Sequence, residues 1–367
     1  MEAKQFIALQ GFELLYLLVL VFLPYVVAQK IVGLTIVFVA SIMIVTFIIK
    51  NYLTKMIDID GKTVLITGCD SGFGNAIAQR LDFMGFTVYA GCQDLESDGV
   101  ERLTSSKTGR MHVIPLDVTD DKSIDECYDE VYKACSTTGL WALINNAGIN
   151  FVGDVELTPL NMYRQVAEVN LFGVINMSKT FLPLIRKAKG RIINTTSTPI
   201  FPPSQSAYAF TKNAVEAFSD CLRLEMRQFG VKVSIIEPGN FYGSTGMLGE
   251  KSVSRMRQEC DEMWDKASHE VKTSYGRDYV EAQYSKNVDL AKKTACTTLA
   301  PVVDAMENAV MNTNPSIRYL VDGSNQWYDY NNVLVRLKPY LPANWIDNLI
   351  DRSFILKHTL TNKPTRN

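Results

Sequence analysis

Histidine is scarce in this chain: His112, His269 and His358 stand far apart, and none of the seven cysteines (Cys69, Cys92, Cys127, Cys135, Cys221, Cys260, Cys296) forms a Cys-x-x-Cys pair. Neither a zinc-ligand spacing nor a disulfide framework is implied, and no metal is needed. Basic runs are also missing, and the formal net charge is −2, so the chain has no handle for nucleic acid. No internal repeat or low-complexity linker divides it. The first dozen residues hold Glu2 and Lys4 but no arginine, which excludes a typical mitochondrial presequence. A secretory signal would end in a small-residue cleavage site after a short apolar core, whereas here the apolar character resumes after Lys30 and lasts to Lys50.

What the chain has in excess is apolar sequence near its start. Its 367 residues are 47% hydrophobic, enough for a packed core and something more. Leu14 to Ala28 is apolar except for Pro24, and Ile31 to Ile49 is a 19-residue run without a charge, long enough to span a bilayer. Residues 1–55 are therefore predicted to be a membrane anchor of one or two spans. Lys50 and Lys55 follow the second run, which places the rest of the chain on the cytosolic side by the positive-inside rule.

From about Ile57 short apolar runs alternate with amphipathic stretches, the pattern of an α/β, doubly wound parallel sheet. Strands are predicted over 63–67, 87–91, 111–116, 141–144, 191–194 and 232–237, within one domain of residues 56–322. A long helix is expected over 163–177. In the tail, 323–367, Trp327, Tyr328, Tyr330 and Tyr340 crowd together, and Trp345, Ile346, Leu349 and Ile350 recur at helical spacing. That tail suits either a membrane interface or packing on the domain or a partner subunit.

Three motifs carry chemistry. The first is Thr67-Gly68-Cys69-Asp70-Ser71-Gly72-Phe73-Gly74, directly after the first strand. Its glycines allow a tight turn and a close approach of a pyrophosphate to the N-terminus of the next helix. The second is Asn145-Asn146-Ala147-Gly148, a turn where the fourth strand ends. The third is Ser206-Ala-Tyr-Ala-Phe-Thr-Lys212, in which Tyr208 and Lys212 share a helix face.

An ammonium beside a phenol favours the phenolate, which suits proton transfer near neutrality. Lowering a tyrosine by roughly three units needs about 4 kcal/mol, so the site is expected to be partly desolvated, with a bound cationic nicotinamide helping. Asp117 is placed either to hold the adenine end of the cofactor or to cap the segment after Val118. Asn170 lies inside a helix, where asparagine is a poor helix former, and is assigned to a proton or water relay. Pro238-Gly239-Asn240 ends a strand near the expected nicotinamide. At the end of the second strand stand Cys92, Gln93 and Asp94, with no arginine or lysine for a 2′-phosphate, and Asp70 would repel one. NAD is therefore expected ahead of NADP.

With these motifs the chain resembles the short-chain dehydrogenase/reductases, a Rossmann-type family, over about Asp58 to Asp322. It is most similar there to the subgroup of mitochondrial D-3-hydroxybutyrate dehydrogenase, retinol dehydrogenases and oxidative hydroxysteroid dehydrogenases. Gln165-Val-Ala-Glu-Val-Asn-Leu171, Val215-Glu-Ala-Phe-Ser-Asp-Cys-Leu-Arg223 and Glu237-Pro-Gly-Asn-Phe241 carry the closer likeness. The resemblance implies Tyr208 as general acid/base, Lys212 as the group that lowers its pKa and holds the nicotinamide ribose, and Asn170 in the relay. The family's substrate-polarising serine falls on Thr195 by spacing from the tyrosine. It falls on Ser197 by alignment of the strand end, and Ser197 is favoured, with a shortened loop bearing Pro199, Pro202 and Pro203. Pairing as a homodimer through helices near Tyr163 and Ala214 would also follow.

The implied activity is oxidation or reduction of a lipophilic alcohol or ketone, a steroid or retinoid, by an enzyme anchored in the endoplasmic reticulum, with a mitochondrial membrane as the alternative. Met247, Met256, Met263 and Trp264, in a lid over 247–295, are candidates to line an apolar pocket. Two alternatives stand: D-3-hydroxybutyrate oxidation, which would call for a basic side chain in that pocket, and a catalytically silent scaffold.

Overall fold

The computed structural model describes residues 2–53, 55–200, 203–242, 244–245, 250–325 and 328–354. Pro202, Met247 and Trp327 lie outside these. The chain forms two units, residues 1–56 and 57–367.

The first unit is one continuous helix, α1 (Glu2–Leu53), with Pro24 inside it. The two apolar runs thus belong to a single helix, with no turn at Gln29-Lys30. Its stretch Leu14–Ile48 covers 35 residues at a mean hydropathy of 2.8, the one segment among the described residues long and apolar enough to cross a membrane. At a rise of ~1.5 Å per residue it exceeds the ~30 Å of a bilayer core by more than tilt alone absorbs, so part of it would lie in the headgroup regions. Its serine and threonine hydroxyls are satisfied within the helix: Thr35, Ser41 and Thr46 donate to the carbonyls of Ile31, Val37 and Ile42. In an apolar surrounding that leaves none of these three protons unpaired.

The second unit is built on a seven-stranded, all-parallel sheet in the order β3-β2-β1-β4-β5-β6-β7. The strands are β1 (Thr63–Thr67), β2 (Thr87–Cys92), β3 (Met111–Pro115), β4 (Ala142–Asn145), β5 (Arg191–Thr195), β6 (Lys232–Pro238) and β7 (Arg318–Val321). Between them run α2 (Gly72–Met84), α3 (Asp98–Thr104), α4 (Asp121–Cys135), α5 (Leu160–Ala167), α6 (Gly173–Ala188), α7 (Ser206–Met226), α8 (Glu250–Lys266), α9 (His269–Tyr275), α10 (Arg277–Thr294) and α11 (Ala300–Met311). After β7 come α12 (Tyr330–Leu337) and α13 (Ala343–Phe354).

The strands read as continuous apolar runs because both faces are covered. Alternate residues such as Val64 and Ile66 pack with Ile77, Leu81, Val302 and Met306 of α2 and α11. Leu65 and Leu143 turn the other way, against Ile124, Phe181 and Leu222 of α4, α6 and α7. The strand order reverses between β1 and β4, so their carboxyl ends open a crevice, the usual place for a ligand in such sheets. Two features depart from the sequence expectation. A seventh strand, β7, extends the sheet beyond β6, and the helix expected over 163–177 is interrupted by a π-helical turn, Glu168–Phe172, between α5 and α6. The tail's aromatic residues divide: Tyr330, Ile346, Leu349 and Ile350 pack with Ile200 and Leu334, while Tyr340 and Trp345 are exposed.

Arg191, at the start of β5, is 3% exposed and ties the C-terminal end of α11 to the sheet. Its Nη1 donates to the carbonyls of Ala309 (2.9 Å) and Asn312 (2.8 Å), and the guanidinium lies 4.2 Å from the Trp141 ring centre. A cation at a helix C-terminus also opposes the helix dipole favourably. Replacing it by methionine strands two buried carbonyls, so Arg191→Met should lower unfolding free energy by about 3 kcal/mol in denaturant titration.

Candidate active site

The crevice is a cleft of about 300 Å³ lined from both halves of the sheet. On one side the chain leaves β1 through Gly68 (φ +70°) and Gly72 (φ +60°), left-handed conformations that glycine adopts without strain. Ser71 caps α2 with no side-chain bond, and no acidic residue occupies the first helical turn, so the amides there are open to an anion. Gly74 faces away from the cleft; a Cβ on it would collide with the Gly68 carbonyl, so this glycine lets α2 pack onto the turn. Asn146 fastens the two strand ends together: its Nδ2 donates to the carbonyls of Thr67 (3.1 Å) and Gly68 (3.0 Å), and Thr67 Oγ1 accepts from the amides of Asn146 and Ala147.

Gly68, Asp70, Ser71, Gly72, Phe73, Asp117, Val118, Ala147, Gly148, Ser197, Tyr208, Lys212, Pro238 and Gly239 all line this cleft, as the sequence reading expected. Four of its assignments do not: Gly74, turned away as described, and Cys92, Asn145 and Asn170. Cys92 is fully buried in the core, its thiol pushed up to about 12 by burial. Strand alternation turns Cys92 inward, and Gln93 takes the place on the wall, where it donates to Asp117 at 2.9 Å. Asn145 lies behind the wall, donating to Ser178 (3.1 Å) and to Asn194 Oδ1 (2.8 Å). Asn170, on the π-helical turn, is fully buried, and its side chain is spent on the Ile149 peptide, accepting from its N–H (2.8 Å) and donating to its carbonyl (2.9 Å).

Burial alone would raise the Asp117 carboxyl, but bonds from Thr119 and Gln93 outweigh it and hold it below the usual carboxylate range. Asp70 Oδ1 accepts from the Asp94 amide at 2.6 Å, which fixes a carboxylate beside the turn. No lysine or arginine is found near these groups among the cleft-lining residues, Lys212 standing at the other end. A nicotinamide dinucleotide, which the motifs imply, fits this cradle: two left-handed glycines lead into a helix N-terminus with open amides, and the cleft continues past it to Tyr208.

At that end α7 sets Tyr208 and Lys212 one turn apart. Lys212 is 4% exposed, its Nζ 2.8 Å from the Thr195 carbonyl and 5.5 Å from the Tyr208 ring centre. Burial pulls its pKa down to about 8. Tyr208 is shifted in the direction opposite to the expectation. Burial, and then the neighbouring Tyr242 phenol, push it up, with a hydrogen bond to Ser197 acting the other way. The ammonium is turned to a carbonyl over the ring, so desolvation wins in the protein alone.

Ser197 thus stands at the phenol, whereas Thr195 gives its carbonyl to Lys212 and leaves a buried Oγ1 without a partner. Thr196 and Thr198 turn towards the carbonyls of Ile236 and Pro238. Gly148 keeps this corner open, since a Cβ there would lie 3.3 Å from Asn170 Oδ1 and 3.4 Å from Lys212 Nζ. The sequence reading missed Gln205, Phe241, Tyr242 and Thr245, which complete the wall.

Helices α8 and α10 enclose a second, narrow chamber, and the same chain segments serve both spaces. Ile149 and Gln205 line the cleft, while Val152, Gly153, Asp154 and Ser204 line the chamber. Met256, Met263 and Trp264 line it with Tyr279 and Tyr284. Its only charged groups among the described residues are Asp154, which accepts from Tyr279 at 2.7 Å, and Glu259, whose carboxyl burial pushes up to about 7. Arg257 and Arg277 instead pair with Glu281.

The short chain dehydrogenase family profile matches residues 62–255. The chain is 41% identical to mitochondrial D-beta-hydroxybutyrate dehydrogenase of Bos taurus over 276 residues, 74% of this chain and 79% of that protein. It is 39% identical to estradiol 17-beta-dehydrogenase 2 of Rattus norvegicus over 72% of this chain and 69% of that protein. Retinol dehydrogenase 7 of Rattus norvegicus is 36% identical over 80% of this chain and 87% of that protein. A crystal structure of a short-chain dehydrogenase from Streptomyces avermitilis superposes with a TM-score of 0.56 at 28% identity, covering 70% of this chain and 87% of that one.

The lowered pKa of Lys212 has a measurable consequence. Between pH 8 and 10.5 the unfolded chain holds a proton on this lysine that the folded chain has lost, so folded stability rises with pH in that window. Against Lys212→Met, the native protein should gain in relative stability from pH 8 to 10.5 and show no differential change from pH 6 to 7.5, as read by urea unfolding at each pH.

Proposed function

The chain belongs to the short-chain dehydrogenase family, and from that membership we propose that it is a membrane-anchored, NAD-dependent dehydrogenase of a neutral, secondary or lipophilic alcohol, a steroid or retinoid. Family membership makes it an NAD(P)-dependent oxidoreductase acting on CH–OH groups. The substrate class rests chiefly on one observation: the chamber beside the cleft is lined by Met256, Met263 and Trp264, with the carboxyls of Asp154 and Glu259, the latter paired with Arg255, and no cation among its described lining residues. A carboxylate substrate such as hydroxybutyrate would meet like charge there, at a cost that grows with desolvation. A neutral polycyclic or polyene alcohol would meet apolar and weakly polar surface there once the chamber, about 30 Å³ in this structure, widens to admit it.

Residues Gly68, Ser71, Gly72 and Phe73 would hold the dinucleotide's pyrophosphate, Asp117 and Val118 its adenine end, and Lys212 with Pro238 and Gly239 its nicotinamide end. Bound there, the dinucleotide supplies the two-electron hydride acceptor or donor. NAD is favoured over NADP because the Asp70 carboxylate stands where a 2′-phosphate would need a cation. Ser197 would hold the substrate oxygen, and Tyr208 would take or return its proton. Lys212 would steady the phenolate, aided by the positive charge of an oxidised nicotinamide. Asn170, bonded to the Ile149 peptide, would keep that corner in shape for the relay.

The anchor reading rests on the apolar 35-residue stretch of α1, whose only charge is Lys30, and on Lys50 and Lys55 after it. An endoplasmic reticulum membrane with the catalytic unit in the cytosol suits an apolar substrate, which partitions into lipid.

Two measurements test this. The full chain with NAD should oxidise a 17β-hydroxysteroid or retinol at least tenfold more efficiently than D-3-hydroxybutyrate, and Tyr208→Phe should lower kcat by roughly 100-fold or more while keeping NADH affinity. Preference for hydroxybutyrate would overturn the substrate class, and no turnover despite tight NADH binding would favour a silent scaffold. Separately, the full chain should remain in the membrane pellet after carbonate extraction, and removal of residues 1–56 should release the rest to the soluble fraction.

A further inference from the structure

The turns that follow β4 and β6 meet beside the reacting phenol through a single hydrogen bond. Asn150 Nδ2 donates to the Tyr242 hydroxyl at 2.7 Å. Tyr242 lines the same cleft as Ser197 and Tyr208, and its hydroxyl is near enough to Tyr208 for a charge on one phenol to be felt by the other. No hydrogen bond joins the two phenols, and both face the one cleft.

Two chemical facts make this arrangement more than packing. A phenol whose oxygen accepts from an amide still has its own proton to give, and among the described residues that proton has no acceptor on the protein. Asn150, meanwhile, is only 8% exposed, and its Oδ1 is buried without a partner. An idle buried acceptor costs about 1–3 kcal/mol, which an apolar side chain of similar size would avoid. The amide therefore fits a role that needs its N–H, and the group it holds is Tyr242.

Resting on the dehydrogenase reading, we propose that Tyr242 is a third catalytic hydroxyl, donating with Ser197 to the substrate oxygen as that oxygen gains negative charge, and that Asn150 is the positioning residue that aims it. In the oxidative direction the carbinol O–H proton goes to Tyr208, the C–H hydrogen leaves with its electron pair for the nicotinamide, and the C=O forms. Tyr242 keeps its proton throughout; its bond to the oxygen is strongest when the O–H is breaking, which lowers the barrier without tightening the ground state.

The test uses the full chain in detergent, with whichever member of the panel of 17β-hydroxysteroid, retinol and D-3-hydroxybutyrate it turns over. Tyr242→Phe should lower kcat roughly 10- to 100-fold, with KM and the NADH affinity read by fluorescence titration held within about twofold. Asn150→Ala should show the same split more weakly. The double variant should be no slower than Tyr242→Phe alone, because both act through one hydroxyl. An unchanged kcat in Tyr242→Phe with NADH affinity intact overturns the proposal, as do losses that multiply in the double variant. If Tyr242→Phe fails to bind NADH, Asn150→Ala decides: kcat must fall with NADH affinity kept, and an unchanged kcat overturns the proposal. A wild-type chain that turns over no member of the panel overturns the dehydrogenase reading itself, and this assignment with it.

Discussion

An ammonium removed from water governs the architecture of this site. Lys212 is buried on α7 with the Thr195 carbonyl as its hydrogen-bonded acceptor, and burying a cation on such terms is expensive unless the surroundings are fixed. The carbonyl is fixed because it belongs to the last residue of β5, held in register between β4 and β6. The space next to it is fixed because Gly148 has no side chain and Asn170 grips the neighbouring peptide. The cost is partly relieved by a downward pKa shift, which leaves the lysine ready to respond to any negative charge that forms on Tyr208. The protein alone thus keeps its phenol protonated, and a cationic nicotinamide bound beside it would favour the phenolate.

The polar groups behind the cleft explain how strand ends can be so exact in a sheet that is otherwise apolar. Asn145 on β4 donates to Asn194 on β5, whose own amide donates to Ser219 on α7 at 2.8 Å. This buried chain ties together the elements that carry the Asn-Asn-Ala-Gly turn, the Ser197 loop and the Tyr208 helix. A slip of one residue in β4 or β5 would leave several of these groups unpaired, at about 1–3 kcal/mol each. The network thus specifies register where the hydrophobic pattern of doubly buried strands does not.

Six of the seven strands could be read from sequence because a buried parallel strand is a short unbroken apolar run between turn signals. Strand β7 escaped because Arg318-Tyr-Leu-Val is brief, begins with a charge and lies on the sheet edge, where pairing with β6 rather than composition makes it a strand. The glycine turn and the Tyr208–Lys212 spacing were legible because their geometry is local. Cys92 was misplaced because strand alternation near a strand end depends on twist and on where pairing stops. The π-helical turn has no composition signature, and neither the Asn150–Tyr242 contact nor the carboxyls facing the chamber could be inferred, since each joins residues far apart in the chain. The segment expected to be a lid could be located in the sequence, but which way its side chains point is a property of packing.

The two charge distributions in the second unit would suit different parts of the proposed alcohol. Close to the reacting carbon the groups are hydroxyls and one ammonium, suited to an oxygen that gains and loses a proton. Farther out the chamber offers Met256, Met263 and Trp264, with two carboxyls partly satisfied by Tyr279 and Arg255. A ligand with one polar end and a long apolar body uses both zones without desolvating a charge. A short hydroxy acid would place its carboxylate at the border between them, where hydroxyls and amides, not a cation, would have to replace its water. Identity near 40% to proteins named for each substrate type shows that the shared scaffold does not decide between them. The decision therefore falls to the few side chains at that border, Gln205, Tyr242 and Ser204, and to how much of the chamber α8 leaves open.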